Sequence, residues 1–455
     1  MITTTNPATG EKLADYEELS EEGIEGALAA AQDTFASWRS SPLEERTALL
    51  ARLAEVYEAN RDRLARQATL EMGKTFASAK AEVAKCAALF RHLAEEGPAL
   101  LVPERWDLEG GRVAEGRWLP LGPVLAVMPW NFPYWQVVRF LAPTILAGNT
   151  GLLKHASSVA GVAALIGEMM QEAGAPDGLF QNLPIRSDPV ARIIADSRVV
   201  AVTLTGSEGA GAAVAETAGR HLKKVVLELG GSDPFIVMPS ANLDEAVQSA
   251  VKARIQNTGQ SCICGKRMIV HADVYDAFLA RFLEAMAQVR AGDPLDEATD
   301  MGPLSSFEQR ETVLEQVARA QEEGARVALV PQQPEGPGAY LTAGVLTDLP
   351  PDSETAREEI FGPVAQVYRA EDIADAIRLA NDIPFGLGSS VWTEDEGERD
   401  RFITEIEAGM TAVNQVLASD VRAPFGGIKR SGHGRELSRH GLHEFMNLKT
   451  VMLPA

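Results

Sequence analysis

Val199-Val200-Ala201-Val202-Thr203-Leu204, followed by Thr205-Gly206-Ser207, is the stretch that decides the fold. Six uncharged, mostly β-branched residues read as a strand buried on both faces, and Thr-Gly-Ser ends it. A helical pattern runs from Gly209 to Leu222, and a second strand, Val225-Val226-Leu227-Glu228-Leu229, follows. Strand, helix, strand at this spacing predicts a parallel sheet wound on both faces.

Outward from this unit the pattern repeats. Toward the N-terminus, Val124-Leu125-Ala126-Val127-Met128 and Gly151-Leu152-Leu153 read as further strands, punctuated by Pro120, Pro123, Pro129 and Pro133. A helix is expected over Val159–Ala173, then a turn at Ala175-Pro176-Asp177-Gly178. The first hundred residues look helical. Ser20-Glu21-Glu22 is an N-cap signal, with Ile24, Ala27, Leu28, Ala31 and Phe35 at helical spacing. Long helices over Leu43–Ala94, broken near Gly73, are expected to cover a sheet. Beyond Gly230 a second α/β portion is predicted, with helices at Asn242–Arg254 and Asp273–Val289 and strands at Val327–Leu329 and Val364–Tyr368.

Composition bounds the function. At about 150 residues per domain, 455 residues suggest roughly three domains. Hydrophobic residues at 45% and charged residues at 23% are ordinary for a globular chain, which excludes collagen-like, disordered and disulfide-scaffold classes. The net charge of −22 repels a nucleic-acid backbone, so no nucleic-acid partner is expected. Three cysteines fit a reducing compartment. Met1–Lys12 has no basic stretch leading into an apolar one, and no run has the length of a membrane span, so a cytoplasmic protein without a membrane partner is expected. His433, His440 and His443 lack a completing thiol or carboxylate, so no metal site is expected and they read as decoration on a tail helix.

Four pieces carry chemistry: Met128-Pro129-Trp130-Asn131-Phe132-Pro133, Thr205-Gly206-Ser207 with Gly211, Glu228-Leu229-Gly230-Gly231, and Asn257-Thr258-Gly259-Gln260-Ser261-Cys262-Ile263-Cys264. Each alone is a common kind of turn; the order of the four is specific. With Glu358-Glu359-Ile360-Phe361-Gly362-Pro363-Val364 and Pro424-Phe425-Gly426-Gly427-Ile428-Lys429-Arg430-Ser431-Gly432, the chain resembles the aldehyde dehydrogenase superfamily over nearly its whole length, and most of all its succinate-semialdehyde dehydrogenases.

That resemblance implies an α/β fold with two doubly wound parallel-sheet domains and a small β extension. The dinucleotide-binding domain would be 1–101 with 121–229, the catalytic domain 230–441, and the extension 102–120 with 442–455. The edge strand Thr450-Val451-Met452-Leu453 needs a partner, so a homodimer or a dimer of dimers is expected.

It also implies roles. Cys262 is expected as the nucleophile, because a thiol partly ionised near neutral pH adds to an aldehyde and makes a tetrahedral oxyanion that can expel hydride. The Asn131 amide, with the backbone N–H of Cys262, would hold that oxyanion. Glu228, on an apolar strand that should raise its pKa, would activate the water that cleaves the thioester. A Glu at a strand end beside Lys223 and Lys224 could instead be an ion-pair partner.

Gly206 and Ser207 would admit a pyrophosphate at the following helix. Lys154 would reach the adenosine ribose and Glu359 the nicotinamide ribose, with Trp130, Leu229 and Phe361 beside the same cofactor. Relatives that prefer NAD often carry an acid three positions after the lysine; here it is Ser157, so NADP is expected to be preferred and NAD accepted less well.

Arg139 would grip the distal carboxylate of succinic semialdehyde, aided by Ser419, with Trp135 lining the pocket. Asn131, Trp135 and Arg139 are four apart and would share a helix face. Some relatives carry a second Arg where this chain has Gln256, so the carboxylate would have one charged partner. Arg139 could alternatively be a structural ion pair. Cys264 could form a redox-switching disulfide with Cys262, or be a passive thiol. The other readings are an aldehyde dehydrogenase for aliphatic or aromatic aldehydes, with Tyr134 and Trp135 lining an apolar tunnel, and a non-catalytic protein on the same fold.

Overall fold

The structure is a computed structural model that describes residues 1–454. Among these residues two large sheets dominate. The first has six strands in the order Gly432–His433, Lys224–Glu228, Ala201–Thr205, Pro123–Met128, Thr150–His155 and Phe180–Asn182. Neighbours pair in parallel except at Gly432–His433, which runs antiparallel. Leu125 and Leu152 pack into one apolar cluster while Ala126 and Leu153 pack into another. Successive side chains therefore bury on opposite faces, which is why these strands read as continuous apolar runs.

Helices cover both faces. Phe76–Glu95, Trp135–Ala147 and Ala160–Glu172 supply one cluster, and Glu208–Arg220 contributes Val214 and Ala218 to the other. Helix Glu21–Trp38 begins where Ser20 accepts a hydrogen bond from the Gly23 N–H at 3.1 Å. The expected break near Gly73 is real: Gly73 ends Arg61–Met72 at φ +89, in the left-handed region. The helical reading of the first hundred residues misses one element. Ile2–Thr5 pairs antiparallel with Lys12–Tyr16, because Ile2 and Thr4 alternate inward with period two and Asn6 to Gly10 turns the chain.

The second sheet has seven strands in the order Arg326–Leu329, Gly344–Thr347, Val364–Ala370, Gly265–His271, Asp233–Val237, Ser390–Trp392 and Ala412–Val413. The end of the expected 230–441 stretch departs from it. Gly432–His433 crosses back to pair with Leu227 and Glu228 of the first sheet. His433 therefore sits on a strand, and of the three histidines only His440 and His443 lie on the tail helix Ser438–His443. A third sheet of three strands joins Met446–Leu453, Val113–Pro120 and Glu104–Asp107.

Register sets the site. Met128 stands opposite His155, Val127 opposite Leu204, and Thr205 opposite Glu228. The carboxyl ends of four strands are thus level, and the turns that follow them meet in one crevice, as expected for an open parallel sheet.

Candidate active site

Cys262 is delivered by a strained turn. Helix Leu243–Ile255 ends, and Asn257, Thr258 and Gly259 then adopt φ of +55, +57 and +73. Consecutive left-handed residues that are not all glycine persist only where their surroundings hold them. Asn257 Nδ2 donates to the Asn131 carbonyl at 2.8 Å and to that of Gln260 at 3.1 Å. A Cβ on Gly259 would strike the Gly362 carbonyl. Lys266 Nζ donates to the carbonyls of Ser261 at 2.8 Å and Cys262 at 2.7 Å, and lies 3.0 Å from a Glu359 oxygen.

Asn131 is clamped. Its Nδ2 donates to Gln260 O at 3.0 Å, and its Oδ1 accepts from Gln136 Nε2 at 2.9 Å. An amide nitrogen has two hydrogens, so one remains for a ligand. The helix begins only at Trp135, so Asn131 does not share its face with Trp135 and Arg139 as the spacing suggested; it reaches the site from the preceding turn. Glu82 fixes that helix start by accepting from the N–H groups of Tyr134 at 2.8 Å and Trp135 at 3.0 Å. Its other oxygen is 2.5 Å from buried Lys74.

Two cavities meet at Cys262. The first, about 280 Å³, has Trp130, Asn131, Gly206, Ser207, Glu228, Leu229, Glu359 and Phe361 in its wall. The second, about 200 Å³, is lined by Trp135, Arg139, Ser419, Gln256, Phe425 and Lys85. Cys262 and Gln136 belong to both walls. Lys154 and Ser157 are not in the first wall; they follow the level strand ends, at the close of Thr150–His155 and the opening of the turn Ser157–Val159. Tyr134 lines neither cavity, because its ring is in the core and its hydroxyl donates to Leu64 O at 3.0 Å. Cys264 is buried with its Sγ donating to Gln256 O at 3.5 Å, and all three cysteines are free.

The surroundings of Cys262 work against the partly ionised thiol expected from the sequence. Burial pushes Cys262 up to about 12, against the pull of Lys266 and Arg139. Glu228 is raised well above the usual carboxylate range, first by burial and then by the negative charge of Glu436. Neither Glu228 oxygen has a hydrogen-bond partner among the described residues. The flanking lysines are engaged elsewhere: Lys224 is 3.0 Å from Glu444, and Lys223 donates to Asp196 O.

The first cavity suits a dinucleotide. Thr205 Oγ1 is buried in its wall without a partner. Ser207 caps helix Glu208–Arg220, whose N-terminal N–H groups suit an anion, and Arg430 pairs with the first-turn acid Glu208. No acid lies within 4 Å of Lys154 among the described residues.

The second cavity has more charge than the sequence suggested. Arg139 Nε lies 2.7 Å from Glu436, both side chains being buried, and the guanidinium carbon is 4.5 Å from the Phe425 ring centre. The ion-pair alternative for Arg139 and its place in the cavity wall therefore coexist. The expected single cation is corrected by Lys85, which enters from helix Phe76–Glu95 and donates to Ser419 Oγ at 2.7 Å. Its signal was absent because one lysine in an Ala-rich charged helix reads as solvated surface. Gln136, Lys266 and Glu436 were missed too, although they follow closely on the motifs that end at Pro133, Cys264 and Gly432.

Comparison with known proteins agrees with this geometry. The sequence pattern of the Aldehyde dehydrogenase family matches residues 1–451. The chain is 50% identical over 453 residues to the NADP(+)-type succinate-semialdehyde dehydrogenase 1 of Mycobacterium ulcerans, covering 99% of both chains. Its counterpart in Mycobacterium tuberculosis is 49% identical over 454 residues, with the same coverage. The crystal structure of succinic semialdehyde dehydrogenase from Streptococcus pyogenes in complex with NADP+ superposes with a TM-score of 0.98 at 37% identity, over 100% of each chain. A sequence match of this extent, on a crevice where a cysteine faces both a groove at a helix N-terminus and a cation-lined pocket, leaves one conclusion: the chain belongs to the aldehyde dehydrogenase family.

Proposed function

We propose that the chain oxidises succinic semialdehyde to succinate, with NADP(+) preferred over NAD(+). One observation carries the reading: Cys262 stands in the common wall of two cavities, one suited to a dinucleotide and one carrying Arg139, Lys85 and Ser419. The relatives named above, and the NADP+ bound in the Streptococcus structure, support the same substrate and cofactor.

Cys262 Sγ adds to the aldehyde carbon as its proton is released to solvent, and Glu228 is kept for the later hydrolysis. The charge that forms on the aldehyde oxygen is held by the free Asn131 N–H and the Cys262 backbone N–H, worth about 3–4 kcal/mol per donor. NADP(+), when bound, supplies the hydride acceptor, and Lys154, Ser157, Ser207 and Glu359 are the residues that would hold it. The thioester left on Cys262 is hydrolysed by a water that gives its proton to Glu228; the C–S bond breaks and Glu228 passes that proton to the departing Cys262 Sγ. Arg139 and Ser419 orient the distal carboxylate. The exposed side chains of Leu448 and Met452 on the Met446–Leu453 strand support assembly as a homodimer or dimer of dimers.

The test follows absorbance at 340 nm with succinic semialdehyde and with butanal, each with NADP(+) and NAD(+). A strong preference for succinic semialdehyde with NADP(+) is expected. Equal rates on both aldehydes would remove the substrate assignment, and equal or better efficiency with NAD(+) would remove the cofactor preference.

A further inference from the structure

The second cavity holds two cations, and they differ in what already neutralises them. Arg139 is 2.7 Å from Glu436, a carboxylate as buried as itself. Lys85 has no acid within 4 Å among the described residues. Its neighbours come from three elements. On its own helix, Glu82 is taken by Lys74 and by two backbone N–H groups. From helix Trp135–Ala147, Arg139 adds positive charge and the Trp135 ring centre lies 4.6 Å from Nζ. From the turn after Ala418, Asp420 is held by Arg422 through two contacts of 2.8 Å.

We propose that Lys85 supplies the net charge that selects the distal carboxylate of the substrate, while Arg139, matched by Glu436, contributes hydrogen bonds and shape. The inference rests on the substrate reading above. Ser419 completes the arrangement. Its oxygen accepts from Lys85 Nζ, which leaves its hydroxyl hydrogen to donate to a carboxylate oxygen. Nζ has two further hydrogens for the same ligand. An apolar aldehyde gains nothing from these groups and would leave a partly buried ammonium without an anionic partner, which disfavours it.

Titration distinguishes the two cations. Burial, and then the charge of Arg139, lower Lys85 to about 8. Glu82 and Asp420 act in the opposite direction, with Cys86 the remaining titratable neighbour. Below that value Lys85 is charged and attracts the carboxylate; above it the attraction fades.

The test is the ratio of kcat/KM for succinic semialdehyde over butanal, followed between about pH 6.5 and 9.5 in wild type, Lys85→Met and Lys85→Arg. Taking the ratio cancels the titration of groups common to both reactions. In wild type the ratio should fall above about pH 8. In Lys85→Met it should drop by roughly 10- to 100-fold at neutral pH, mainly through KM for succinic semialdehyde. In Lys85→Arg, which keeps its charge, the alkaline fall should disappear. A Lys85→Met ratio within about twofold of wild type, or a Lys85→Arg profile that falls as wild type does, would overturn the proposal and leave the substrate reading standing. A wild-type ratio near one would overturn both.

Discussion

Gln136 Nε2 donates to Asn131 Oδ1 across 2.9 Å, and this bond fixes which end of the Asn131 amide is the donor. The Gln260 carbonyl and Asn257 hold the same residue from the other side. A preorganised donor needs no reorganisation as charge develops, which is where its catalytic value lies. Gln136→Leu should lower kcat by roughly 10- to 100-fold while KM for the aldehyde changes by less than about threefold. Steady-state kinetics checks this; an unchanged kcat would show that the other contacts orient Asn131 unaided.

Burial raises the Cys262 pKa to about 12 against the pull of Lys266 and Arg139, so a protonated thiol is expected at neutral pH. Alkylation by iodoacetamide without cofactor should be slow at neutral pH and accelerate toward strongly alkaline pH. Lys266→Met removes an attractive charge and should slow the reaction further at any given pH. A rate that levels off near neutral pH would show an ionised thiol and contradict this picture.

Much of this was legible in the sequence, and what was not has physical causes. The strands Ala201–Thr205 and Lys224–Glu228 could be read because strands buried on both faces are uninterrupted apolar runs. The turns after them could be placed because parallel strands end level. Ionisation of Cys262 could not, since burial belongs to the whole fold. Lys85 meets Ser419 across 334 positions of sequence, a juxtaposition no local pattern encodes. Arg139 looked like either a substrate clamp or an ion pair; it pairs with buried Glu436 and also lines the second cavity, a combination that no local pattern encodes.

His155 holds one end of the turn that carries Asn131. Its Nδ1 accepts from the Ala156 N–H at 2.9 Å, so Nε2 carries the hydrogen and donates to Pro133 O, also at 2.9 Å. Burial lowers its pKa from the ordinary 6.5 to about 4. Between those values the unfolded chain binds the extra proton and the folded chain does not. Stability from this group is therefore complete above about pH 6.5 and lost progressively down to about pH 4, by an amount on the order of 3 kcal/mol. Urea midpoints should fall over this range, and fall less in His155→Gln. Equal falls in both proteins would refute the assignment.

On the proposed cofactor reading, Ser157 stands where an acid would repel a 2′-phosphate. Ser157→Glu should lower the ratio of kcat/KM for NADP(+) over NAD(+) by roughly 10- to 100-fold, through charge repulsion at close range. Measuring both cofactors at saturating aldehyde tests it. An unchanged ratio would place the discrimination elsewhere in the groove.

The most direct test of the whole account uses Glu228→Gln with succinic semialdehyde and NADP(+). The variant removes the group proposed to activate water, so turnover should stop at the thioester. The account predicts a rapid burst approaching one NADPH per site, almost no further turnover, and a succinyl group on the peptide bearing Cys262 by mass spectrometry. Steady turnover at the wild-type rate, or a burst with no acyl group on Cys262, would contradict it.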